Sequence, residues 1–87
     1  MTTEEIQTVR KRVQTDHLNG DIKIARGYTY RRKTPKPGHI FYRIKYTTGN
    51  RIIYQGAYCM NLEAEKRFQK AGTLTDFLLD ELAKQLY

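Results

Sequence analysis

The chain has 87 residues, with 16 Lys and Arg against 9 Asp and Glu, a formal charge of +7, a 39% hydrophobic fraction and one Cys. That length reads as one domain over residues 1–87, burying only about 60–65% of its unfolded surface. The lone Cys excludes an internal disulfide and a Cys-based zinc site, and no apolar run approaches the roughly 18 residues of a membrane span.

The first predicted element is a helix. Thr2-Thr3-Glu4-Glu5 fits a capping box, with a hydroxyl at the start and a carboxylate three residues on. Ile6, Val9 and Val13 recur at helical spacing, and Asn19-Gly20 is a natural stop. The acidic, polar opening does not read as a signal peptide, so the expected location is the cytoplasm, or the nucleoid within it.

Three strands follow. From Asp21 to Lys33, Ile22, Ile24, Tyr28 and Tyr30 share one parity. The stretch Thr34-Pro35-Lys36-Pro37-Gly38 predicts a turn, because proline cannot donate to a strand ladder. From His39 to Thr47, Ile40, Tyr42, Ile44 and Tyr46 alternate with Phe41, Arg43 and Lys45, the cleanest period of two in the chain. Thr48-Gly49-Asn50 signals a hairpin into a third strand, Arg51 to Tyr58, where Ile52, Tyr54 and Tyr58 share a parity and Gly56 suggests a bulge or a close backbone approach. Short connections make an antiparallel meander the simplest arrangement.

The last segment is helical. Asn61 is a good N-cap, and Glu63 and Glu65 suit the first turn. Gly72-Thr73 interrupts, Thr73 or Thr75 is placed to cap a second piece, and Leu74, Phe77, Leu78, Leu82 and Leu86 form its apolar stripe. The expected fold is therefore α+β: an N-terminal helix, a three-stranded antiparallel β-meander, and a C-terminal helix broken near Gly72 and packed on one sheet face.

The charge is concentrated. Residues 22–58 hold nine Lys and Arg and no Asp or Glu, together with seven of the ten aromatic side chains. Such a stretch has no local anion, so solvent ions or an anionic partner must meet its potential. If one sheet face packs on the helix, parity sends Lys23, Thr29, Arg31, Lys33, Phe41, Arg43, Lys45, Arg51, Ile53 and Gln55 to the other. Cations bind phosphate, Arg forks onto guanine, and Gln pairs with adenine. Arg31-Arg32-Lys33-Thr34-Pro35-Lys36 adds a basic cluster at one edge. The candidate nucleic-acid-binding residues are Lys23, Arg31, Arg32, Lys33, Lys36, Phe41, Arg43, Lys45, Arg51 and Gln55. A blander alternative also accounts for exposed strand cations, which commonly block edge-to-edge aggregation.

Gly27-Tyr28-Thr29-Tyr30-Arg31, then Phe41-Tyr42-Arg43-Ile44-Lys45-Tyr46, then Thr48-Gly49-Asn50-Arg51 and a helix from about Asn61, give three basic strands followed by a helix. That order resembles the sheet-reading DNA-binding domains of ethylene-response-type factors and the amino-terminal arm-binding domain of phage tyrosine integrases. The resemblance implies a sheet that enters the major groove, with Arg31, Arg43, Lys45 and Arg51 contacting bases and phosphates. This chain differs in having no Trp in the sheet and an additional N-terminal helix. The order also looks like a double-stranded-RNA-binding domain. That family expects a Lys-rich start to the last helix, where this chain has Asn61-Leu62-Glu63-Ala64-Glu65, so duplex DNA is preferred over RNA.

Candidate chemistry is sparse. Cys59 with His39 or His17 has no spacing that demands a pair, and Asp76 and Asp80, one helical turn apart, read as the solvated side of the last helix rather than a metal site. The expectation is a non-enzymatic module that needs no metal or other cofactor and no membrane, and that works as a monomer or a homodimer. The other reading is a protein-interaction module, an adaptor or inhibitor that binds an acidic or nucleic-acid-binding surface of a partner. For a homodimer, Phe41 and Ile53 mark the surface to inspect.

Overall fold

The computed structural model describes residues 2–86. Its elements are α1 (Thr3–Leu18), β1 (Ile22–Gly27), β2 (His39–Thr48), β3 (Arg51–Asn61), α2 (Leu62–Ala71) and α3 (Leu74–Gln85). The strands form one antiparallel sheet in the order β1-β2-β3, so β2 is central. The α+β class, the meander and the break at Gly72 all match the sequence reading.

Local chemistry explains most boundaries. The Thr2 hydroxyl accepts from the Glu5 amide at 3.2 Å, the hydroxyl half of a capping box. The Asn61 Oδ1 accepts from the amides of Glu63 at 2.8 Å and Ala64 at 3.2 Å and starts α2 directly from the end of β3. Gly72, at φ 72°, ends α2 in the left-handed region, where its own N–H donates to Gln69 and that of Thr73 to Phe68. Neither threonine caps α3: Thr73 occupies the N-cap position but makes no side-chain bond, and Thr75 lies inside the helix. The stacked rings of Phe68 and Phe77, 4.3 Å apart, hold the two pieces together instead. Asn61→Ala should lower stability by about 1 kcal/mol, read as a thermal midpoint drop of roughly 4–8 °C in a domain of this size.

All three helices cover the same sheet face. Val13 of α1 packs with Ile22, Ile44 and Tyr46 of the sheet and Leu79, Leu82 and Ala83 of α3. Ile40, Tyr42 and Met60 pack with Leu78, flanked by Leu62, Phe68, Leu74 and Phe77. The alternation read in β2 is therefore the alternation of core against solvent: Ile40, Tyr42, Ile44 and Tyr46 are buried, and Arg43 and Lys45 are exposed.

Two polar ties cross this core. The Tyr46 hydroxyl donates to Asp16 of α1. Arg26 of β1 grips Glu65 of α2 through two bonds, Nε to Oε2 at 2.7 Å and Nη2 to Oε1 at 3.1 Å, and the Tyr42 hydroxyl donates to the same carboxylate. Among the described residues, no helix is long and apolar enough to cross a membrane.

The strands depart from expectation in three places. β3 runs on to Asn61, past the expected end at Tyr58. β1 ends at Gly27 rather than near Lys33, so the parity drawn through Tyr28 and Tyr30 does not hold. In β3, Tyr46 pairs with Tyr54 but Thr47 pairs with Ile52, leaving Ile53 as the extra residue of a bulge. The bulge inverts the two isoleucines. Ile53 packs against the core, while Ile52 is 54% exposed. Gly56 does not form the bulge; it is a close approach, because a Cβ there would lie 2.5 Å from the Tyr54 hydroxyl.

Candidate nucleic-acid interface

The sheet face away from the helices is built by register. Lys23, Lys45 and Gln55 stand in one row across the three strands, Ala25, Arg43 and Ala57 in the next, and Gly27, Phe41 and Cys59 in the third. Lys23, Arg43, Lys45 and Gln55 are all exposed. The Arg43 side chain leans along the sheet toward Gly27.

Beyond Gly27 the chain folds back over this face. Tyr30 and Lys33 exchange two backbone hydrogen bonds, of 3.0 and 2.9 Å, closing a two-residue turn with Arg31 and Arg32 at its tip. Both arginines have positive φ, 50° and 66°. That is the pattern of a type I′ turn, which favours Asn-Gly, and holding two arginines there costs on the order of 1 kcal/mol each. The Arg31 guanidinium sits 5.3 Å from the centre of the Tyr30 ring, which offsets part of that cost. Tyr30 in turn meets Phe41 edge-on, with ring centres 6.3 Å apart.

The turn and the sheet enclose an open concavity of about 410 Å³ lined by Lys23, Ala25, Thr29, Tyr30, Arg31, Arg43, Lys45 and Gln55, with Ile44 and Gly56 at its floor. Five of the sequence-selected residues, Lys23, Arg31, Arg43, Lys45 and Gln55, thus converge. Arg32, Lys33 and Lys36 are exposed on the adjoining loop but do not line the concavity. Phe41 lies on the expected face, half-buried beside Tyr30.

Arg51 is a correction. It pairs with Thr48 below the bulge and shares a separate hollow with Arg12 of α1, Thr48 and Ile53, on the helical side of the sheet. The Ile53–Phe41 surface fails for the same reason, since the two side chains point to opposite faces. Ala25, Thr29, Tyr30, Ile44 and Gly56 are the lining residues not among the selected ones, and of these Thr29 and Tyr30 belong to the turn segment. Parity places Thr29 on the right face, but it places Tyr30 in the core, by extending a strand that in fact ends at Gly27.

Comparison with protein-family models, with curated proteins and with solved structures found no match to this chain.

Among the described residues, no cation that lines the concavity is paired with a carboxylate. Among the described residues the ion pairs are Arg10–Asp80, Arg26–Glu65 and Lys84–Glu81, and none involves a cation of the outer face. Lys23 stands directly opposite Lys45 in register, a like-charge pair that destabilises a sheet. Arg26, on the helical side, is the only cation of residues 22–58 in one of these pairs; its bonds to Glu65 hold that carboxyl below the usual range against the opposing effect of burial. Burial, helped by the same carboxylate, pushes the Tyr42 hydroxyl up to about 12, so it remains a donor throughout the physiological range.

Other chemistry finds little support. Among the described residues, no group of three or more His, Cys, Asp or Glu side chains is placed to hold a metal. Asp80 faces Arg10 at 3.6 Å, His39 points Nδ1 toward the Pro37 carbonyl at 3.0 Å, and Cys59 is half-buried opposite Phe41.

Proposed function

We propose that the outer sheet face and the turn folded over it form a non-enzymatic nucleic-acid-binding surface, with duplex DNA as the preferred ligand. The observation that carries this reading is the unneutralised like-charge cluster on the central strand and its neighbours. Edge protection explains cations on edge strands, but Arg43 and Lys45 belong to β2, which has a partner on each side. Lys23 opposite Lys45 weakens the free sheet, and an anionic ligand between them removes that repulsion. A two- or three-stranded ribbon also fits the roughly 12 Å major groove of B-form DNA. The deep, narrow major groove of A-form RNA does not admit it. The resemblance to sheet-reading DNA-binding domains implies the same role for Arg31, Arg43 and Lys45, though not for Arg51.

In this reading Lys23 and Lys45 meet phosphates, Arg43 and Gln55 reach base edges, and the Arg31–Lys36 loop lies along one strand. Fluorescence anisotropy with a labelled duplex over a salt series tests it. With three or four phosphates neutralised, log K should fall with log salt at a slope of about −3, and duplex RNA should bind more weakly. Absence of binding to duplex DNA at low salt would end this reading.

A further inference from the structure

The turn at Tyr30–Lys33 holds two arginines at φ 50° and 66°, a conformation suited to Asn and Gly rather than Arg. Its two backbone hydrogen bonds are well made, so the turn is a defined structure and not a loose loop. The strain is therefore localised on side chains outside the core: Arg32 is exposed, and Arg31, also exposed, sits by its neighbour's ring on the way into the concavity. A backbone outlier that the surrounding core does not require points to a use for the side chains it displays.

The geometry suggests that use. The concavity of about 410 Å³ is open to solvent, with the sheet on one side and the turn on the other. Its sheet side carries Lys23 and Lys45, and its wall is Tyr30 and Arg31. We propose that the Tyr30–Lys33 turn is a preformed clamp on the phosphate backbone of a single strand of the bound nucleic acid, strained because its two arginines must stand at that place. The inference rests on the nucleic-acid reading above and adds a division of labour to it. The turn grips backbone independently of sequence, whereas the sheet reads bases. The fold gives up stability at the turn in exchange for a wall that is ordered before the ligand arrives.

Two variants of the full chain test the clamp against the parent in the same anisotropy assay. Arg31→Asn with Arg32→Gly keeps the turn, removes its strain and removes two cations. Its thermal midpoint should rise by about 5 °C. Its salt slope should become shallower by about 1.8, and its affinity should fall roughly 50-fold at 0.1 M salt, equally for unrelated duplex sequences. Arg31→Gln with Arg32→Gln should lose the same affinity without the rise in midpoint. An unchanged affinity and salt slope in both variants, alongside a parent that binds and an Arg43→Ala variant that binds more weakly, would overturn the clamp and leave the sheet reading standing. A midpoint that fails to rise in the Asn-Gly variant would overturn the strain on which the clamp is argued. A parent that binds no duplex overturns both.

Discussion

Reversing two charges on the central strand, Arg43→Glu with Lys45→Glu, should reduce duplex affinity by about a thousand-fold at 0.1 M salt while leaving the protein folded. Losing Lys45 leaves a phosphate without its cation, close to a tenfold factor at that salt. Losing Arg43 removes a fork onto a base edge, roughly another tenfold, and the two carboxylates introduced repel the nearby phosphates. Folding should survive because both side chains are exposed and neither takes part in an ion pair among those of the described residues. Stability should even rise slightly. Lys45→Glu turns the Lys23–Lys45 repulsion into an attraction across the β1–β2 ladder, an effect of a few tenths of a kcal/mol. A more stable protein that no longer binds its ligand is hard to produce by structural damage. Anisotropy and thermal melting on the same sample check it, and affinity equal to the parent's would contradict the assignment of these two residues.

The second large effect lies on the other side of the sheet. Glu65→Ala should lower stability by about 2 kcal/mol at neutral pH, because it strands the buried Tyr42 hydroxyl and removes both acceptors of the Arg26 guanidinium. In a domain of this length that corresponds to roughly 10 °C in thermal midpoint. The effect should depend on pH. The Arg26 guanidinium, and then the Tyr42 hydroxyl, hold the Glu65 carboxyl below its ordinary value of 4.5. The unfolded chain therefore takes up a proton at a higher pH than the folded one. The stabilisation is complete above about 4.5 and fades as the pH falls through the lower folded value. Parent and Glu65→Ala should accordingly converge in acid and diverge toward neutrality. Denaturant melts at a series of pH values check this, and a difference that grows in acid would contradict it.

Sequence reasoning succeeds in this chain where one chemical signal controls one structural choice. The alternation of Ile40, Tyr42, Ile44 and Tyr46 with Phe41, Arg43 and Lys45 survives intact because β2 is central and pinned on both sides, so a one-residue slip would bury charge. Asn61 and Gly72 mark the ends of α2 because their side chain and backbone, respectively, satisfy the helix ends themselves. It fails where a competing local structure changes the phase. Periodicity cannot announce a bulge, and Ile52-Ile53 offers two equivalent residues for one inward position. The bulge resolves that choice and carries Arg51 to the helical side. The Tyr30–Lys33 turn is illegible for a different reason. Turns of its type are found in sequence by Asn-Gly or Asp-Gly, and Arg-Arg conceals it. The site is therefore legible as a sheet face, through Lys23, Arg43, Lys45 and Gln55, but its concave shape is not.

That concave, carboxylate-free face is the centre of the account, and amide chemical-shift mapping during titration with a short DNA duplex tests it most directly. The largest changes should fall on Lys23, Arg43, Lys45 and Gln55, and on Thr29 to Arg31 of the turn, with α1 and α3 nearly silent. Changes concentrated on the exposed surfaces of α1 and α3, or around Arg12 and Arg51, with the outer sheet unmoved, would contradict it.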